Sequence, residues 1–121
     1  MVSINSVNLD RPPHQIIELI KAELGLSEAE LAQALAIDPR TVRRWQSGQA
    51  YPQHEARQRL ANLRDVTRRL QETFASAEAI RAWIRQPSRY LSQLTPAEVL
   101  RTGRIDRVEA ALEALDSGIF L

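Results

Sequence analysis

The sequence predicts an all-α protein of about seven helices, and three features carry that expectation. Apolar residues recur three and four apart through most of the chain. No segment alternates apolar and polar residues for long enough to make a strand. Several helix starts combine a capping side chain with a following proline or a glutamate three residues on. The expected organisation is a flexible lead over 1–13, a helix-turn-helix domain over 14–74, and a small helical C-terminal unit over 75–121.

The lead ends in Pro12-Pro13, and a helix from about 14 to 24 follows, with Ile16, Ile17, Leu19, Ile20 and Leu24 on its apolar side. Gly25 stops it. Ser27 and Glu30 then form a capping box for a second helix whose apolar face is Leu31, Ala32 and Leu35. Ala36 and Ile37 carry a tight turn, and Ala36 stands where many such turns place glycine. Asp38 caps a third helix, Pro39 occupies its first position, and Gly48 closes it ahead of Pro52. Ala32 supplies the small residue needed where the second and third helices cross. Val42 and Trp45 point inward.

This is the helix-turn-helix arrangement, in which the second helix can enter a DNA major groove. The same geometry also serves as a plain helical corner that only builds core. Three arginines on the outer face with no acid between them favour the DNA-binding use. The candidate DNA-binding residues are Arg40, Thr41, Arg43, Arg44 and Ser47, with Arg57 on the next helix. Arg40 and Arg44 are placed to read base edges, Arg43 and Arg57 to hold phosphates.

Charge distribution agrees with that use. Net charge is only +1, but it is unevenly spread. Residues 1–39 hold Arg11 and Lys21 against six acids, a balance of −4. Residues 40–69 hold eight arginines against Glu55 and Asp65, a balance of +6, and residues 70–121 hold six arginines against seven acids, a balance of −1. A local basic block on the proposed recognition helix is the footprint of a nucleic-acid binder.

A long helix is expected from about 53 to 74, with Ala56, Leu60, Leu63, Val66, Leu70 and Phe74 inward. Positions 56, 63, 70 and 60, 67, 74 repeat every seven residues, which suits either packing on its own domain or a short seam with a second copy. Thr67 weakens the seam, and so few heptads favour packing within the chain. Ser76 caps a short helix with Ile80, Trp83 and Ile84, ended by Pro87. Trp83 at that spacing reads as core before contact. A loop follows, with Tyr90, Leu91 and Leu94 as expected anchors. Thr95-Pro96-Ala97-Glu98 starts another short helix, interrupted at Gly103. A last helix runs from about 104 to 116 with Val108, Ala111, Leu112 and Leu115 inward, closed by Gly118. Ile119, Phe120 and Leu121 either fold back onto the core or are kept for a partner.

Several function classes fall away. Without cysteine there is no disulfide, zinc–thiolate site or cysteine nucleophile. His14 and His54 have no serine or carboxylate spaced to complete a triad, and the four glycines form no phosphate loop. The expectation is a protein that is not an enzyme and needs no cofactor or metal. The start of the chain lacks the pattern of a secretory signal, and no apolar run reaches membrane-spanning length, so a cytoplasmic protein without membrane contact is expected.

The second half carries a family resemblance in its motif order: Trp83, then PSRYL over 87–91, TPAEVLRTG over 95–103, a final helix, and GIF over 118–120. With an Xre-like helix-turn-helix in front, the chain resembles the Xre/MbcA/ParS-type antitoxins that accompany RES-domain toxins. The resemblance implies a protein that neutralises an NAD-destroying toxin by covering its active-site cleft with the C-terminal unit. It also implies a homo-oligomer that binds its own operator as double-stranded DNA and represses its operon. Carried onto this sequence, the toxin-binding candidates are Arg89, Tyr90, Arg101, Gly118, Ile119, Phe120 and Leu121. The alternative is a stand-alone Xre-type regulator with no toxin partner, its C-terminal unit serving dimerisation or ligand sensing.

Overall fold

The computed structural model describes residues 12–118, so residues 1–11 of the lead and Ile119, Phe120 and Leu121 lie outside the described residues. Among the described residues there are seven α-helices, one 3-10 turn and no strand. The helices are α1 (Pro13–Leu24), α2 (Glu28–Leu35), α3 (Pro39–Gln46), α4 (His54–Thr73), α5 (Ala77–Ile84), α6 (Pro96–Arg101) and α7 (Ile105–Asp116). The 3-10 turn, Arg89–Leu91, lies between α5 and α6.

The capping chemistry read from the sequence sets the helix starts. Ser27 Oγ accepts the Glu30 N–H at 3.0 Å while the Glu30 carboxylate accepts the Ser27 N–H at 2.9 Å. Asp38 accepts the Arg40 N–H at 2.8 Å, and Ser76 accepts that of Ala79 at 3.1 Å. Thr95 and Glu98 repeat the reciprocal box, each bond 3.0 Å. Every one of these bonds satisfies a donor that a helix start would otherwise leave orphaned.

The first three helices also end alike. Leu26 N–H donates to Lys21 C=O, Ile37 N–H to Ala32 C=O and Gln49 N–H to Arg44 C=O, at 3.1, 3.0 and 2.9 Å. Each closure requires a left-handed residue just before the donor. Gly25 and Gly48 supply it at no steric cost, but Ala36 takes φ 57° with a side chain present. The tight turn between α2 and α3 therefore holds a strained alanine.

One apolar core runs through the chain. Ile17, Ile20 and Leu24 of α1, Leu31 and Leu35 of α2, and Leu63 and Leu70 of α4 are sealed from water. Ile80 and Ile84 of α5, Leu91 of the 3-10 turn and Leu100 of α6 join them in the same cluster. α4 packs on α1, α2, α5 and α7, so the chain's own helices fill the face with the seven-residue repeat. Thr67 sits wholly buried in that face, its hydroxyl donating to the Leu63 carbonyl at 2.7 Å. Trp83 is half-buried and stacks at a tilt on Phe74, ring centroids 5.7 Å apart. Of the three residues expected to anchor the loop, only Leu91 does so; Tyr90 and Leu94 are 42% and 39% exposed. The 3-10 turn inserts one residue and leaves its neighbours outside.

The Ala36 conformation can be relieved. Ala36→Gly removes a left-handed penalty of about 1–2 kcal/mol and adds unfolded-chain entropy worth about 0.5–1 kcal/mol. The variant is expected to gain up to about 1.5 kcal/mol in denaturant unfolding, with an unchanged m value.

Candidate functional site

Two surfaces gather most of the described residues singled out from the sequence. The first is α3. Val42 and Trp45 bury one side of this helix against the core, which forces the other side outward. Arg40, Arg43, Arg44 and Ser47 are exposed there, and Thr41 is half-buried at the edge. Arg43 Nη1 lies 3.4 Å from the Glu28 carboxylate, an exposed pair that a partner can displace at little cost. Ser47 Oγ donates to the Arg44 carbonyl at 3.1 Å and keeps its lone pairs for another donor. The guanidinium groups of Arg40 and Arg44 have no hydrogen-bonding or ionic partner among the described residues.

Arg57 is not gathered onto this face. It opens α4, donates weakly to the Pro52 carbonyl at 3.4 Å, and lines a groove with Pro13 and Ile16 of α1. The α4 arginine beside α3 is Arg59, which lines a cleft of about 420 Å3 together with Thr41, Arg44 and Tyr51. The sequence reading did not nominate Arg59. Its signal was the spacing of three from the inward Ala56, which sets it on the flank next to α3.

The second surface lies between the 3-10 turn, α5 and α7. Trp83, Pro87, Arg89, Tyr90, Ala111 and Leu115 line a cleft of about 180 Å3. Arg89 and Tyr90 thus share one wall, and Leu115 brings in the end of α7. The Leu115 carbonyl accepts the Gly118 N–H at 3.1 Å, so the chain leaves α7 beside this cleft. Gly118 has φ 75°. Ile119, Phe120 and Leu121 lie outside the described residues. Arg101 is elsewhere: it ends α6 and donates from Nε to Gln33 Oε1 on α2 at 3.1 Å.

The two surfaces are bolted together. Arg85, just after α5, donates to both Glu30 oxygens at 2.6 and 2.9 Å and to the Gly25 carbonyl at 2.8 Å. Arg81 donates to the Ala22 carbonyl at 3.2 Å. A β-carbon at Gly25 would lie 2.7 Å from Arg81 Cδ, so the close approach of α5 needs glycine there as well as its left-handed backbone. At the far end of α4, Arg69 reaches Glu113 and Asp116 of α7 at 2.9 and 3.2 Å. The Arg85 guanidinium, followed by the Ser27 N–H, holds the Glu30 carboxyl down to about 2 against the opposing effect of burial.

Fold and surfaces together define a compactly cored helical protein with a guanidinium-bearing helix on one surface and an aromatic cleft on another. Among the described residues no group of three or more acidic or histidine side chains could hold a metal, and no helix is long and apolar enough to cross a membrane. Residues 69–118 match the family described as the antitoxin Xre/MbcA/ParS C-terminal toxin-binding domain. The mycobacterial cidal antitoxin MbcA of Mycobacterium tuberculosis is 36% identical over 98 residues, covering 81% of this chain and 86% of MbcA. A probable mycobacterial cidal antitoxin of the same organism is 27% identical over 118 residues, covering 96% of this chain and 99% of that protein. A chain in the crystal structure of the M. tuberculosis MbcT–MbcA toxin–antitoxin complex superposes with a TM-score of 0.68. It is 31% identical, and the match spans 95% of this chain and all of that one, 100%. The chain belongs to the Xre/MbcA/ParS antitoxin family.

The Glu30–Arg85 clamp has a pH signature. The Glu30 carboxyl titrates lower in the folded chain than its ordinary 4.5, so the clamp stabilises fully above that value and is lost as pH falls toward about 2. Thermal melts are expected to show a steep loss of stability below about pH 5. In Arg85→Gln that acid slope flattens, the melting temperature near neutral pH falls, and the unfolding free energy drops by on the order of 1–3 kcal/mol for one partly screened, bidentate pair.

Proposed function

We propose that this antitoxin binds and inhibits a RES-domain, NAD-degrading toxin by covering its active-site cleft with the C-terminal unit, and represses its own operon through α3. The observation that carries the reading is the match of residues 69–118 to a toxin-binding domain, on a chain whose α3 presents unpartnered arginines. The MbcT–MbcA complex supports a protein toxin as the partner.

On the toxin side, Arg89 and Tyr90 offer a planar cation and an amphipathic ring on the rim of one cleft. Such groups anchor interfaces because they bury large area while keeping a polar tip satisfied. Gly118 turns the chain out of α7, and Ile119, Phe120 and Leu121 are the apolar residues assigned to fill the toxin's cleft and exclude water. Arg101 can serve a toxin carboxylate only by leaving Gln33, an exchange between two exposed hydrogen bonds.

On the DNA side, α3 lies in the major groove. Arg40 and Arg44 pair with base edges, Thr41 and Ser47 add neutral hydrogen bonds, and Arg43 leaves Glu28 for a phosphate. Paired helices of a homo-oligomer would sit about 34 Å apart, one turn of the duplex. The chain acts in the cytoplasm, by binding alone.

Co-expression with a RES-domain toxin tests the first half. Full-length antitoxin is expected to co-purify with the toxin and preserve cellular NAD. Removal of 118–121 is expected to leave the melting curve in place but allow NAD to fall. Equal protection by the truncated chain would show that the terminus is not part of the inhibitory contact.

The DNA half has a separate readout. Arg44→Ala is expected to weaken operator binding by about 1–3 kcal/mol and narrow the gap between operator and random duplex. An unchanged gap would remove α3 from base recognition.

A further inference from the structure

A cleft lies between α3 and the first turns of α4. Thr41 and Arg44 come to it from α3, Tyr51 from the connecting loop, and Glu55 and Arg59 from the first turns of α4. Tyr51 is 67% exposed, the most open of the large apolar side chains described. The Arg59 guanidinium has no hydrogen-bonding or ionic partner among the described residues. Glu55 stands four residues before it, at the spacing of a helical ion pair, yet the two are not joined. An arginine left unpartnered in a cleft beside a second unpartnered arginine on another helix leaves concentrated positive potential.

We infer that this cleft is the backbone anchor of the DNA interface: Arg59, with the Tyr51 hydroxyl at its rim, grips a duplex phosphate next to the base that Arg44 reads. This rests on the DNA-binding reading above and assigns it a site. Positions 57 and 59 lie about 200° apart around α4, so only one of them can face the duplex that α3 enters. Arg57 faces the α1 groove, and Arg59 shares the cleft with Arg44. A phosphate contact of this kind carries no sequence information, but it fixes how far α3 enters the groove and thus which base Arg44 meets. Glu55 works against the anion, so the anchor is tuned below its maximum strength.

The test measures duplex binding over a salt series, for the chain alone and co-purified with its toxin, using wild type, Arg59→Gln, Arg59→Lys, Arg57→Gln and Glu55→Gln. Melting curves confirm that each variant folds. One lost phosphate contact lowers the slope of log K against log salt by about 0.9. Arg59→Gln is expected to show that drop with several-fold weaker binding to operator and random duplex alike. Arg59→Lys keeps the charge and the slope, Arg57→Gln behaves as wild type, and Glu55→Gln binds more tightly. A folded Arg59→Gln with the wild-type slope, or an Arg57→Gln that loses it instead, overturns this assignment while leaving DNA binding intact. A wild-type chain that shows no salt-dependent duplex binding in either form overturns the DNA-binding reading and the anchor with it.

Discussion

The carboxylate of Glu30 is shared between two demands, and the architecture turns on that sharing. Within α2 it closes the capping box by accepting the Ser27 N–H. From outside it receives both arms of Arg85, which also donates to the carbonyl that ends α1 at Gly25. Charge-assisted, bidentate bonds hold orientation as well as distance. The turn between α1 and α2 is therefore clamped by a residue from the segment that matches a toxin-binding domain. Gly25 is confined at the same point by its left-handed backbone and by the Arg81 side chain against it.

Burial does the rest of the joining. α5 packs on α1 and α4, α6 on α2, and α7 on α4, and their leucines and isoleucines belong to one apolar cluster. Sealing large aliphatic side chains is worth roughly 1.5–3 kcal/mol each, which outweighs any of the surface ion pairs. The polar clamps thus select the orientation in which the core closes. The arginine-bearing face of α3 and the aromatic cleft beside α7 are held in one frame.

Arginine has three uses in this frame. Arg69, Arg81, Arg85 and Arg101 tie helices together through carbonyls, carboxylates and an amide. Arg43 is loosely paired at an exposed edge. The guanidinium groups of Arg40, Arg44 and Arg59 have no hydrogen-bonding or ionic partner among the described residues. A count of basic residues cannot separate these uses, because the same side chain braces a fold when a carbonyl faces it and seeks an anion when nothing does.

Local physics was legible in the residues themselves. Ser27, Asp38 and Thr95 cap where their side chains and the following glutamate or proline required, Ser76 caps by its hydroxyl alone, and Gly25 and Gly48 end helices where left-handed backbone was needed. Those effects span three or four residues, so sequence alone determined the helices, their faces and the all-α class. What lies across a gap was decided by the fold. Arg85 meeting Glu30, Arg101 meeting Gln33, Arg59 rather than Arg57 beside Arg44, and Tyr90 and Leu94 left outside all depend on how α4, α5 and α6 cross. Crossing geometry comes from the sum of packing between residues tens of positions apart, and no local pattern records that sum.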